Sequence, residues 1–342
     1  MRLPIMTTVD AMTTRPTIVA HRGASGYLPE HTLAAYELGI RQGADAFEID
    51  VVPTRDGHLI ARHENDLSNS TDIADRPPFA GRRASKIVDG LRHEGWFAED
   101  FTLAEVQELR AREPLPGLRS TAHDGRYAVP ALPEILALRA ALAAQLRRPV
   151  GLKLEVKSPA HFAAIGHPIE DRLLADLDEH GLLGADSPVE IMCFELHHLR
   201  ALRARGVENG LVFLIEEDPG RAVPGEGGAT YGELSTAPGL AQVRRVAHAI
   251  GPGRHALFTG MPGGPLGAPR PLFTAAAAAG LRLDCWTFRA ENAFLPSDFR
   301  SSDDPAELGD LAGLVAAYVR HGLTTVITDQ PDAVLPTAPY MG

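Results

Sequence analysis

Short apolar runs alternate along the chain with longer amphipathic stretches, and this alternation predicts the fold. The runs are TIVA (17–20), AFEIDVV (46–52), LIARH (59–63), GLKLEVK (151–157), VEIMCF (189–194), GLVFLI (210–215), VAHAI (246–250), LRLDCWTF (281–288) and TTVIT (324–328). Several are apolar almost without interruption, as parallel strands buried on both faces require. Between the first two, HTLAAYELGIRQGA reads as an amphipathic helix of about 11 residues that stops at Gly43. Strands alternating with helices point to βαβ units.

Nine runs are one more than an α/β barrel uses. Only PTRDGH separates the second run from the third, and a parallel crossover needs about a dozen residues. These two runs are therefore expected to form an antiparallel hairpin around Arg55-Asp56-Gly57. Setting LIARH aside as its arm leaves eight strands. The fold expected is a (β/α)8 TIM barrel of the α/β class, one domain over residues 1–342, with a hairpin after strand 2. A turn centred near residue 55 or 56 puts Glu48 opposite His63 as cross-strand neighbours. Residues 64 to about 150 fit no plain βα unit and are expected to form a cap insertion over the barrel mouth. Within it, FTLAEVQELR carries the capping-box pair Thr102 and Glu105. The Gly-rich segment 222–239 reads as a surface loop.

Composition narrows the function. The formal charge is −11, and no concentrated basic face is present for a nucleic-acid backbone. No stretch of about 18 apolar residues is free of charge, so no membrane span is expected. The 33 glycines and 27 prolines imply many turns and short connections. Cys193 and Cys285 each sit in an apolar run and read as buried small hydrophobes without a disulfide. The first sixteen residues hold no apolar segment of export-signal length. The expectation is a cytoplasmic protein, or a periplasmic or secreted one whose leader is absent from this sequence.

Active sites of this barrel class lie at the carboxyl ends of the strands. There the sequence places His21 and Arg22 after TIVA, Glu48 and Asp50 on one face of the second run, His63 at the end of the hairpin arm, and Glu155 and Lys157 on the fourth run. Singly, each has a plain structural reading: an alternating polar residue in a strand or a hydrogen-bonded histidine. Seven of them on three strands and one arm favour a site. Three crowded carboxylates repel one another unless a cation joins them, and Mg²⁺ or Ca²⁺ suits an all-oxygen set. Arg22 offers a fork for phosphate and Lys157 a point charge. Two histidines can divide general-acid and general-base work, so the set suits displacement at phosphorus. His123, His197 and His198 gain no such support and read as surface or supporting residues. ELRAREPLPGLR (108–119) reads as a solvated charged face.

The segment IVAHRGASGYLPEHTLAAYELGIRQGADAFEIDVVPTRDGHLIARHENDLSNSTDIADR resembles the amino-terminal signature of the glycerophosphodiester phosphodiesterase family. HRGASGYLPEHTL, with His31 where many members have Asn, looks most like the bacterial periplasmic branch. LEVK (154–157), MCF (192–194), AIGP (249–252), WTFR (286–289) and TDQPD (328–332) extend the likeness over nearly the whole chain. The resemblance implies a metal-dependent barrel that cleaves glycerophosphodiesters, as small-molecule substrates, into sn-glycerol 3-phosphate and an alcohol. It implies His21 and His63 as the acid/base pair and Glu48, Asp50 and Glu155 as ligands of one divalent ion, Ca²⁺ or Mg²⁺. It also implies Arg22 and Lys157 as the phosphate clamp, with Phe194 and Trp286 as aromatic pocket walls. Glu64 stands where the family usually has Asp, and Asn69 where an Arg is expected. Runner-up expectations are a phospholipase-D-like or sphingomyelinase-D-like enzyme on intact lipids, which should expose an apolar lip, a hydrolase of glycerol-phosphate polymers, and a binding module without turnover.

Overall fold

The computed structural model describes residues 15–334 apart from 89, 261 and 262. Most of the amino-terminal stretch read for an export signal lies outside the described residues. Among the described residues eleven strands are formed: β1 (Thr17–Ala20), β2 (Ala46–Pro53), β3 (Leu59–Ala61), β4 (Ala84–Val88), β5 (Leu91–Gly95), β6 (Gly151–Val156), β7 (Val189–Cys193), β8 (Gly210–Ile215), β9 (Ala249–Pro252), β10 (Arg282–Phe288) and β11 (Thr325–Thr328). Hydrogen bonding runs β1-β11-β10-β9-β8-β7-β6-β2, and a β1–β2 pairing closes the ring. Within this ring all eight strands run parallel to their neighbours. The expected TIM barrel is what the chain forms. Among the described residues, no helix is long and apolar enough to cross a membrane.

The hairpin forms as the six-residue connection predicts, with Val51 opposite Ala61 and Pro53 opposite Leu59. Its ladder stops at Ala61, however, and Arg62 donates its amide to the Asp50 carbonyl as the chain peels away. His63 thus follows the ladder, and the expected pairing of Glu48 with His63 across strands does not occur. Other differences are also local. β9 begins at Ala249, three residues later than VAHAI suggests, because Val246 and Ala247 still donate back to Val243 at the end of the preceding helix. Segment 222–239 is more ordered than a surface loop: Thr230 caps a turn of helix, and the buried Tyr231 stacks on Phe213.

Helix α1 (Leu33–Arg41) starts where Thr32 accepts from the Ala35 amide, and it buries Ala35, Tyr36 and Ile40 against the barrel. The turn from β1 into it passes through Gly23 at φ +86°, where a Cβ would lie 2.4 Å from the Ala35 carbonyl carbon. Only glycine allows that approach. Between β3 and β6 the chain runs through short 3₁₀ turns, the β4–β5 hairpin, helix α2 (Leu103–Gln107) with the predicted capping box, and helix α3 (Leu132–Leu146). Ile73, Phe79, Phe97, Phe101 and Leu109 bury the underside of this segment. The β4–β5 hairpin has no apolar face of its own, with Ile87 and Leu91 exposed at its tip. That is why hydropathy does not reveal it.

Candidate active site

A cleft of about 710 Å³ opens at the carboxyl end of the barrel. His21, Arg22, Glu48, His63, Glu155, Lys157, Phe194 and Trp286 all line it. Asp50 lies buried beneath, in register with Glu155 across the β2–β6 pairing. The structure therefore brings the predicted residues together.

On one wall, Glu48, Asp50 and Glu155 each place a carboxylate oxygen within 4.8 Å of the others, and all three are buried. Among the described residues Asp50 Oδ1 has no hydrogen-bond donor, and Lys157 Nζ lies 3.8 Å from it. Burial pushes the Glu48 carboxyl well above its usual range, and repulsion from Asp50 and Glu155 adds to this. Glu155 is pushed up to about 8, with burial outweighing the attraction of Lys157. Asp50 goes the other way. Burial opposes its ionisation, but Lys157, His63, the His31 hydrogen bond and Arg22 hold it well below the usual range. Such a set does not ionise fully without a further positive charge, and its donors are all hard oxygens. The residues fit a divalent ion.

Arg22, at φ +56°, turns its amide onto Glu48 Oε2 at 2.9 Å, so the bend after β1 helps to orient a cluster carboxylate. Its guanidinium reaches Glu30 at 2.8 Å and Asp50 at 3.4 Å. Despite burial, Glu30, Asp50 and Glu48 keep it charged. Lys157 Nζ lies 2.7 Å from Glu155 Oε1 and 5.6 Å above the Phe194 ring. Phe194 meets Trp286 edge to face at 5.8 Å, and the Trp286 indole donates to the Gly251 carbonyl at 2.7 Å. The two aromatics form one wall.

The histidines are held by carboxylates. His21 Nδ1 is 2.6 Å from Asp329 Oδ1, just after β11. The opposite oxygen, Asp329 Oδ2, accepts from Arg119 at 2.6 Å and Arg289 at 2.8 Å. Although burial opposes it, Arg289, Arg119 and His21 hold Asp329 well below the usual carboxylate range. An ionised Asp329 can only accept, which assigns the proton to His21 Nδ1 and leaves Nε2 as the free nitrogen. Burial, then Arg22, lowers His21 to about 4, so the ring is neutral at pH 7. His63 Nδ1 lies 2.7 Å from Glu64 Oε1. Burial, Arg22 and Lys157 lower its pKa as well.

Several functional partners escape the sequence reading. Asp329 lies in the TDQPD match, but nothing local ties it to His21, 308 residues away. Glu30 and His31 lie inside the amino-terminal signature; His31 is fully buried and bridges the Tyr36 hydroxyl to Asp50 Oδ2. Arg119 overturns an expectation. Read as part of a solvated face, it has a buried side chain that bonds Asp329, Glu291 Oε1 at 2.6 Å and the Ser25 carbonyl at 3.1 Å. His198 is buried against Glu170, which is the supporting alternative of its reading. Asn69 is exposed, and nothing in the structure gives it a role.

Comparison with known proteins finds relatives over nearly the whole chain. The model of the glycerophosphoryl diester phosphodiesterase family matches residues 21–333. A glycerophosphodiester phosphodiesterase of Arabidopsis thaliana is 30% identical over 305 residues, covering 86% of this chain and 79% of its own length. One from Haemophilus influenzae is 28% identical over 341 residues, covering 92% and 87%. A solved Oleispira antarctica phosphodiesterase, in complex with the product sn-glycerol-3-phosphate, superposes with a TM-score of 0.60 at 18% identity, over 93% of this chain and 95% of that one. At that identity the likeness is one of fold.

Proposed function

The chain belongs to the glycerophosphoryl diester phosphodiesterase family, which makes it a phosphoric diester hydrolase, and we infer that it releases sn-glycerol 3-phosphate and an alcohol from glycerophosphodiesters by metal-assisted acid/base catalysis. The observation that carries this reading is the meeting, in one cleft, of a buried three-carboxylate cluster with two histidines, Arg22 and Lys157. HRGASGYLPEHTL supports kinship with the bacterial periplasmic-type branch, and residues 64 to about 150 are assigned as a cap insertion within a single domain.

Glu48, Asp50 and Glu155 would hold one divalent ion, Mg²⁺ or Ca²⁺. When bound, it supplies positive charge for a phosphoryl oxygen and the glycerol hydroxyls. Arg22 and Lys157 clamp the phosphate and neutralise charge that builds on its oxygens. The glycerol 2-hydroxyl lies one carbon from the ester oxygen, so its attack is intramolecular and gains a high effective molarity. His21 Nε2 takes the hydroxyl proton, and Asp329 stabilises the imidazolium that results. His63 gives a proton to the departing alcohol. Water then opens the cyclic 1,2-phosphate with the two roles exchanged. Phe194 and Trp286 wall the substrate.

The deciding experiment is a panel of glycerophosphodiesters, assayed for sn-glycerol 3-phosphate release with EDTA and then with Mg²⁺ or Ca²⁺ restored. Release that EDTA abolishes and either ion recovers is expected; release that survives EDTA refutes the metal site. One observation adds a lysophospholipid and a liposome arm to the panel. Val88 and Leu91 of the exposed hairpin line the cleft, and Leu91 is 61% exposed. That is the apolar lip expected of a lipid-acting relative, on a small scale.

A further inference from the structure

We propose that Arg119, a residue of the segment inserted between β3 and β6, is a positioning residue for catalysis that keeps His21 aligned through Asp329. The proposal rests on the reading of His21 as an acid/base group given above.

Each nitrogen of the Arg119 guanidinium has its own partner. Nε bonds Glu291 Oε1 at 2.6 Å, one terminal nitrogen bonds Asp329 Oδ2 at 2.6 Å, and the other bonds the Ser25 carbonyl at 3.1 Å. Ser25 in turn donates its hydroxyl to the His21 carbonyl at 2.8 Å. A closed circuit follows: Arg119 grips the loop that carries the His21 backbone, and also the carboxylate that carries the His21 ring. With Oδ2 of Asp329 taken by Arg119 and Arg289, only Oδ1 is left for the histidine. The circuit is closed to water, since the Arg119, Asp329 and Glu291 side chains are 5%, 1% and 2% exposed. A planar fork with five donors can serve three acceptors at once, which a lysine ammonium on a flexible stem cannot reproduce. The backbone beneath it is set in advance. Leu115 donates its amide to Glu113 Oε1 at 2.8 Å, and its carbonyl accepts from the Leu118 and Arg119 amides. No group of Arg119 lines the cleft, so it acts on substrate only through its partners. The inserted segment thereby completes the catalytic corner as well as shaping the cleft mouth.

The charged groups that face His21 are Asp329 after β11, Arg289 after β10 and Arg22 on its own loop. Removing Arg119 takes a cation from Asp329, which favours the imidazolium and moves the His21 limb of the pH–rate profile upward. The experiment compares wild type with Arg119→Ala, Arg119→Lys and, as a control on the same segment, the exposed Arg126→Ala. Each is assayed on a glycerophosphodiester with saturating divalent ion from about pH 3 to 9, alongside thermal melts and ¹⁵N spectra of the imidazoles. For Arg119→Ala, kcat is expected to fall about 10–100-fold, the scale typical of supporting partners around a reactive group. KM should change little, the acid limb should move up, and added guanidinium should restore part of kcat. Arg119→Lys should keep the limb near its wild-type position with an intermediate kcat, and Arg126→Ala should match wild type. The wild-type His21 spectrum should show the proton on Nδ1. A folded Arg119→Ala protein with unchanged kcat and limb overturns the proposal. So does a loss of activity that merely tracks loss of folded protein, with the limb fixed and no guanidinium rescue. A wild-type chain that hydrolyses no diester refutes the reading of His21 itself, a result distinct from either.

Discussion

His21 and His63 line one cleft but stand in different corners of it. His21 is pinned by a carboxylate that two guanidiniums hold ionised, and that carboxylate and the Arg119 side chain are nearly closed to solvent. His63 leaves its strand at the end of a hairpin, is 34% exposed, and leans on Glu64, which is 58% exposed. The first corner fixes tautomer and direction through a buried network, where an ion pair is strong. The second relies on a partner that water and salt can screen. A group that must take a proton from a fixed hydroxyl benefits from a rigid mount. A group that must serve leaving alcohols of varied shape tolerates a looser one.

The largest test removes each histidine. His21→Ala and His63→Ala should each lower kcat by about 10²–10⁴-fold with the fold intact by circular dichroism; more than a tenth of wild-type activity left in both would end the acid/base assignment. Next comes the partner of the rigid corner. Asp329→Asn can no longer hold the imidazolium and leaves Arg119 and Arg289 facing a neutral amide, so a loss of about 10²-fold or more is expected in kcat. Acid stability should reveal the same corner. The folded pKa of His21, about 4, lies below its ordinary value, so between about pH 6.5 and 4 the unfolded chain binds a proton that the folded chain refuses. Its contribution is fully present above that window and falls as pH drops through it, by on the order of 3 kcal/mol. Urea midpoints measured across the window should fall with pH, and less steeply in His21→Gln. The smallest effect belongs to the open corner. Glu64→Gln should change kcat less than about fivefold, and added salt should narrow the gap to wild type further. A Glu64→Gln loss as deep as that of Asp329→Asn would erase the distinction between the corners.

The sequence makes the barrel legible because its strands are continuous apolar runs, and the hairpin because six residues cannot hold a crossover. It does not reveal the β4–β5 hairpin, whose mixed, exposed strands carry no period that hydropathy can detect. Ligand candidates on neighbouring strands were readable, since Glu48, Asp50 and Glu155 lie where strand alternation must place them. The His21 corner was not. Asp329, Arg119 and Arg289 come from three distant parts of the chain, and a charged residue looks the same in sequence whether solvent or a buried carboxylate receives it. Arg119 sits in a run of charges typical of a wet surface, and only the closed fold shows its partner.

The pairing of β1 with β11 also sets a clock. A chain emerging from the ribosome carries both histidines, the three acidic residues and Lys157 once residue 157 is made, less than half of its 342 residues. His21 still has no carboxylate to lean on until Asp329 follows the last strand into place. The residues proposed for hydrolysis are thus synthesised early, and the proposed partner of His21 comes last. On the proposed roles, a nascent or truncated chain would carry the reactive groups without their alignment, and turnover would report completion of the ring.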